Sequence, residues 1–216
     1  MIEAGRVIVN GVPAQMGMRI SEMDDITVDG RPLDKKDRKV VLAYYKPVGV
    51  TCTEKDKYAE KTIRDAIDYP IRVTYAGRLD KDSEGLILMT NDGELSQHVM
   101  HPKYEVEKTY IATLEGRISG QVCRRLVTTG VKLDDGWIKL DRCAILDSSR
   151  ESTLVKVVLH SGKNRIVRRI FGSIGFPVKR LVRTQIGPIK LGDLKSGTYR
   201  VLSQAEVRSL SKAVGL

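Results

Sequence analysis

Between Gly77 and Gly85 the sequence reads "GRLDKDSEG", so Arg78, Asp80, Lys81, Asp82 and Glu84 crowd into one short stretch ahead of the apolar run Leu86 to Met89. A glycine at each end lets the backbone turn tightly and present a carboxylate between basic neighbours. Asp80 stands inside that arrangement. Its type suits a nucleophile, a general base or a cap, and spacing alone leaves the three open. A charge cluster solvating a turn is the competing reading of the same residues.

A second group with chemical potential follows Asn164. At about 100° per residue, Ile166, Val167, Ile170, Phe171 and Ile174 fall on one helix face and Arg165, Arg168 and Arg169 on the other. The cationic side is either an ordinary solvated face, a guanidinium row for phosphates, or the source of an arginine for an active-site carboxylate. Lys179, Arg180, Arg183 and Lys190 extend the basic region. Net charge is +10 and the isoelectric point is near 9.5, so the excess calls for an anionic partner, with nucleic acid ahead of an acidic membrane surface. No uninterrupted apolar stretch of about 18 residues and no signal-peptide pattern is present, and a cytoplasmic location is expected. Aromatics are few, at 5%, although Tyr44, Tyr45, Tyr104 and Tyr110 offer stacking candidates.

Other chemistries find less support. Cys52, Cys123 and Cys143 are odd in number and widely spaced, which suits reduced thiols rather than a disulfide framework. His98, His101 and His160 lack the further ligands of a structural metal site, so no metal is expected. "HSGKN" at 160–164 resembles the end of a phosphate loop, but Val157 stands where its first glycine belongs.

These residues need elements to position them. The first segment carries two short apolar runs, Val7 to Val9 and Ile26 to Val28, each closed by a turn dipeptide, Asn10-Gly11 or Asp29-Gly30, and reads as a small β-rich module. It is too short for a self-sufficient core and is expected either to dock on the rest or to be part of a longer module. Residues 31–39 are polar and read as a linker, giving a module over 1–36 and a larger domain over 37–216. Beyond it, "VVLAYYKP" reads as a buried strand, "TIRDAI" as a short helix ending before Pro70, "LILMT" as a strand, and Glu94 to Met100 as a helix. "EKTYIATLEG" alternates like a half-buried strand, and Ser119 caps a helix to Val127. "WIKLDRCAIL" and "STLVKVVLH" read as strands, Asn164 to Ile174 as a helix, "PVKRLVRTQI" as a strand, and Ser203-x-x-Glu206 opens a last helix. Strands predominate without regular alternation, which predicts an α+β fold with a mixed, mostly antiparallel sheet flanked by helices.

"AGRLDKDSEGLILMTNDGEL" resembles the signature of the RsuA/RluB/RluE/RluF family of bacterial ribosomal RNA pseudouridine synthases. "YYKPVGVTCT", "VEKTYIATLEG" and "HSGKNRIVRRIFGSIGFPVKRLVRTQIGPIKL" resemble the family's other motifs in the same order, and "IEAGRVIVNG" with "DDITVDG" resembles the second half of an alpha-L RNA-binding domain. The ending "RTQIGP" is closer to the large-subunit RluB branch than to the small-subunit RsuA branch. Two departures stand out: Ile166 occupies a position where glutamine is common, and Tyr45 one where asparagine is usual.

The resemblance implies isomerisation of uridine to pseudouridine in ribosomal RNA, in the 23S molecule by the branch similarity, with no cofactor and no metal. The alternatives are a 16S enzyme and a non-catalytic ribosome-associated RNA-binding protein; a base-removing glycosylase would need an activated water. The implied partner is ribosomal RNA or an assembly intermediate, with no membrane, no required protein partner and a monomeric chain. Carried over by position, Asp80 attacks, Tyr110 stacks on the target base, and Arg168 pairs with Asp80 and places it. Arg78, Lys108, Lys163, Asn164, Arg165, Arg169, Lys179, Arg180 and Arg183 are expected to contact RNA, while Lys81, Asp82 and Glu84 solvate the turn. If the arginine face binds phosphates, replacing Arg165 and Arg169 weakens RNA affinity and flattens its salt dependence in a filter-binding series; unchanged affinity returns that face to solvent.

Overall fold

The computed structural model describes residues 1–20, 24–32, 39–53 and 62–216. The chain divides into two compact units, Met1–Lys39 and Val40–Leu216.

In the first unit, β1 (Val7–Val9), β2 (Val12–Pro13), β3 (Ile26–Val28) and β4 (Arg31–Pro32) form an antiparallel sheet in the order β2-β1-β3-β4. Asn10 and Gly11, then Asp29 and Gly30, all take positive φ, the geometry that two-residue hairpin turns require. Pro13 and Pro32 lie in the two edge strands, where a missing donor costs nothing to the ladder. Arg31 and Pro32 therefore belong to the sheet and not to a linker, because they complete the Asp29-Gly30 hairpin; of the remaining expected linker, 33–38 lie outside the described residues and Lys39 lies just before the strand that opens at Val41.

The second unit contains β5 (Val41–Lys46), β6 (Thr74–Ala76), β7 (Glu84–Thr90), α1 (Gly93–Met100), β8 (Lys108–Glu115), α2 (Gly120–Thr128), β9 (Val131–Leu133), β10 (Gly136–Ile138), β11 (Arg142–Ser148), β12 (Ser152–Leu159), α3 (Ile166–Ser173), β13 (Val178–Ile186), β14 (Ile189–Lys190), β15 (Tyr199–Val201) and α4 (Gln204–Ala213). The main sheet runs β11-β12-β8-β13-β7-β5-β15, with β14 added to β13 and β6 to β7. β13 is parallel to β7, and the other neighbours described are antiparallel. This is the mixed, mostly antiparallel α+β sheet that the sequence predicts.

The central strands are apolar on both faces because both faces are covered. Leu42, Tyr44, Ile87, Met89, Ala112 and Leu114 pack with α2 and α3 through Leu126, Val167, Ile170 and Phe171. Val41, Ala43, Leu86 and Leu88 pack with α1 and α4 through Leu95, Val99 and Leu210. Three helix starts are capped: Ser119 and Ser203 accept a backbone N–H as expected, with Ser203 and Glu206 completing the capping box, and Asp92 does the same for α1.

Two expected elements differ. "TIRDAI" forms turns and not a helix: Thr62 donates from Oγ1 and from its backbone N–H to Asp65 Oδ2 at 2.6 and 3.1 Å, closing the turn locally, and Pro70 disfavours helical backbone at Tyr69. "WIKLDRCAIL" is two strands. β10 pairs with β9 in a separate hairpin, and the chain then detours to the end of α2, where Leu140 N–H donates to Leu126 O at 3.1 Å, before β11 joins the main sheet.

β7 and β13 meet at Gly85, which lies opposite Arg183. Gly85 has φ +111°, and a Cβ there would lie 2.3 Å from Arg183 O and 2.6 Å from Arg183 N. Side chains are excluded from this position on both counts. Gly85→Ala is expected to lose about 3 kcal/mol or more in denaturant unfolding, and a loss under about 1 kcal/mol would contradict the close approach.

Candidate active site

The segment from Gly77 to Ser83 leaves strand geometry before β7 begins, and its neighbours hold it in place. Gly77 takes φ +88°, and Ser83 N–H donates to Asp80 O at 3.0 Å, closing a turn around Asp80. Gly49 N–H donates to Lys81 O at 2.8 Å, and the Lys46 ammonium beneath that loop donates to Pro47 O and Val50 O at 2.8 and 2.9 Å. Lys46 is fully buried, and burial lowers its pKa below the usual lysine value.

Two arginines clamp the same segment. Arg183, only 3% exposed, donates from Nε to Leu86 O at 2.7 Å and from Nη1 to Arg78 O at 3.2 Å. Arg168 donates from Nη1 to Val178 O and from Nη2 to Asp82 O, at 2.8 and 2.9 Å, so it ties the loop to the first residue of β13. With 13% side-chain exposure Arg168 is not part of a solvated row; sheet packing overrides the helical pattern there.

A cavity of about 510 Å³ opens over this loop. Of the residues expected to act on RNA, it is lined by Asp80, Tyr110, Arg78, Lys108, Lys163, Asn164, Arg165 and Arg183. Cys52, Ser83 and Met100, which sequence reasoning did not single out as site residues, line it too. Arg168, Arg169, Lys179 and Arg180 do not line the cavity. Arg183 is a wall residue, and its burial corrects the expectation of an exposed phosphate contact. Asp80 keeps 26% of its side-chain surface exposed, whereas the Tyr110 side chain is buried in β8.

The charge pairing also differs from expectation. Arg165, held at φ 50° ahead of α3, donates from Nη1 and Nη2 to the two oxygens of Asp82 at 2.9 and 2.8 Å, and its Nη1 lies 3.7 Å from Asp80 Oδ2. Arg168 Nε lies 3.4 Å from Asp82 Oδ2. The partner expected for Asp80 from α3 is therefore supplied by Arg165, and Arg168 serves Asp82. The hydrogen bonds from Arg165 hold the Asp82 carboxyl below the usual carboxylate range, against the opposing effect of burial.

Asp82 and Glu84 thus do more than solvate a turn. Glu84 accepts from Arg180 Nε at 2.7 Å and from the Tyr45 hydroxyl at 2.8 Å, and the Arg180 hydrogen bond lowers its pKa. The available signal was the match between closely spaced carboxylates in one segment and arginines in another, although it did not show which would pair. Lys108, in the cavity wall, donates to Val106 O at 2.9 Å, and burial with the nearby Arg183 charge lowers its pKa to about 8. Among the described residues no group of three or more His, Cys, Asp or Glu is placed to hold a metal ion, and no helix is long and apolar enough to cross a membrane.

Comparison with known proteins agrees with this architecture. The family described as RNA pseudouridylate synthase matches residues 40–173. An uncharacterized RNA pseudouridine synthase of Mycobacterium tuberculosis is 44% identical over 222 residues, covering 100% of this chain and 87% of the relative. Ribosomal large subunit pseudouridine synthase B of Bacillus subtilis is 35% identical over 214 residues, covering 97% of this chain and 87% of the relative. A crystal structure of a pseudouridylate synthase superimposes with a TM-score of 0.72 at 30% identity, covering 97% of this chain and 90% of that one.

Asp82→Asn removes the carboxylate shared by Arg165 and Arg168. Allowing for its half-exposed position, the loss is about 1 kcal/mol at neutral pH, read as a fall in Tm. Because the folded-state pKa is lowered, this stabilisation is present above the unfolded value of 3.8 and is lost as pH falls below it. The difference between wild type and variant should therefore shrink in acid; a constant difference would contradict the pairing.

Proposed function

Since the chain belongs to the family of RNA pseudouridine synthases, we propose that it isomerises a specific uridine of 23S ribosomal RNA at this cavity, with Asp80 as the attacking carboxylate. The observation that carries the reading is the position of Asp80: partly exposed in a cavity also lined by Tyr110, with the Arg165 guanidinium at 3.7 Å. Large-subunit specificity is supported by the similarity to the Bacillus subtilis protein.

In this mechanism the target nucleotide is flipped out of its helix into the cavity, at a cost of a few kcal/mol offset by phosphate contacts along the basic surface. The Asp80 carboxylate attacks the sugar or the base. The bond from uracil N1 to the ribose breaks, the uracil turns within the cavity, its C5 forms the new bond to the sugar, and the bond to Asp80 breaks to return the free carboxylate. The proton at C5 leaves and N1 takes up a proton, so the reaction is an isomerisation that consumes no co-reactant. Tyr110 packs against the flipped uracil, and Arg165 stabilises negative charge on Asp80. Arg78 and Lys163 meet phosphates at the mouth of the cavity.

The unit Met1–Lys39 is read as the β part of an RNA-binding module, which the hairpin turns of "VNGV" and "VDGR" support. Action as a monomer is read from the separation of the exposed Leu146 and Val201, which lie on β11 and β15 at opposite edges of the main sheet, and a cytoplasmic location from the ribosomal large subunit in the name of the Bacillus subtilis relative.

The test follows tritium release from uracil C5 in 23S rRNA transcripts. Wild type is expected to release tritium stoichiometrically from one site and Asp80→Ala to release none. Full activity in Asp80→Ala would overturn the nucleophile assignment, and release from 16S rRNA alone would overturn the substrate assignment.

A further inference from the structure

The hairpin of β9 and β10 has one face suited to the core and one that is not suited to water. Val131 pairs with Ile138 and Leu133 with Gly136, and Val131, Leu133 and Ile138 pack on the hydrophobic core beside α3. The alternation of a strand then turns Lys132 and Trp137, directly opposite one another, to the outer face. A polar residue is the ordinary occupant of such a position. Here it is the single tryptophan of the sequence, 64% exposed.

The hairpin is fastened to the cavity. Asp135, in the turn before β10, accepts from Arg169 Nη2 and Nη1 at 2.6 and 3.1 Å, and the Lys163 ammonium donates to its carbonyl at 3.1 Å and lies 3.3 Å from its carboxylate. Arg169 holds the Asp135 carboxyl down at about 2, so the attachment is made through a charged group across the neutral range. Lys163 itself lines the cavity beside Asn164 and Arg165. Trp137, two residues from Asp135, is therefore an indole carried on a strand and tethered to the rim of the catalytic cavity, with the exposed Lys132 and Lys139 alongside.

We propose that Trp137 is a base-stacking platform that holds an unpaired nucleobase of the RNA flanking the flipped uridine. An indole face stacks on any base, and the adjacent ammonium groups favour an anionic occupant such as a phosphate-bearing strand over an apolar protein surface. A base caught on the rim would fix the register of the strand that enters the cavity, so the residue contributes to substrate selection. The inference rests on the proposed RNA-modifying activity, and its readout is independent of turnover.

Because Trp137 is the only tryptophan, its emission reports on this position alone. Titrating the full chain with protein-free 23S rRNA transcript is expected to quench that emission and protect it from acrylamide, whereas heparin, a polyanion without bases, leaves it unchanged. In the tritium assay Trp137→Ala is expected to raise KM about five- to hundredfold with kcat nearly unchanged, and Trp137→Phe to recover much of the loss. Wild type that is active while its tryptophan stays unquenched, with an unaltered KM in Trp137→Ala, overturns the platform and leaves the catalytic reading standing. Wild type that is inactive overturns the catalytic reading, and the titration then decides the platform by itself: quenching by the transcript upholds it and absence of quenching overturns it. Quenching by ribosomal particles but not by protein-free transcript overturns it in favour of a protein contact.

Discussion

Guanidinium groups supply the donors for backbone carbonyls where the loop before β7 leaves strand geometry, and the site depends on that substitution. Arg183 spans Arg78 O and Leu86 O, and Arg168 spans Asp82 O and Val178 O. Each arginine ties the loop to β7 or β13, so the position of Asp80 is inherited from a parallel strand pair in the middle of the sheet. Gly85 is the companion constraint, since only a residue without Cβ lets β13 approach closely enough for those donors to reach. Buried guanidiniums suit this task because a rigid fork satisfies two carbonyls at once and keeps its charge.

That frame divides the nearby carboxylates. Asp82 absorbs two hydrogen bonds from Arg165 and the close approach of Arg168, while Arg165 reaches Asp80 at 3.7 Å, beyond hydrogen-bond distance. A nucleophile needs an oxygen free to approach carbon, and a neighbouring cation that does not occupy that oxygen meets the need. Glu84, held by Arg180 and Tyr45, anchors the start of β7. Three carboxylates spaced two residues apart therefore have three environments, because each meets a different arginine or a different distance to the same one.

Much of this was legible beforehand. The turn dipeptides Asn10-Gly11 and Asp29-Gly30, the serine caps at Ser119 and Ser203, and the apolar runs of β5 and β7 have local causes, and local causes are written in neighbouring residues. The clustering of Asp80 with Tyr110 and the 163–165 segment was legible through motif resemblance. The rest depends on pairing across long separations. Whether Arg165 or Arg168 meets Asp80 is decided by where α3 lands on the sheet, and helical periodicity put Arg168 on a cationic face without showing that its guanidinium would turn to Val178 O. The turn at Thr62 likewise went against its helical pattern, through a side-chain bond to Asp65. Trp137 drew no notice in sequence because its meaning comes from the Asp135 attachment to Lys163 and Arg169.

The most direct measurement of the central claim is the single-turnover rate of pseudouridine formation at saturating 23S rRNA in Asp80→Asn beside Asp82→Asn. The account predicts that Asp80→Asn binds the RNA as wild type does and forms no product, while Asp82→Asn forms product at a reduced rate. Product formation by Asp80→Asn, or complete loss in Asp82→Asn with Asp80→Asn still active, would contradict it.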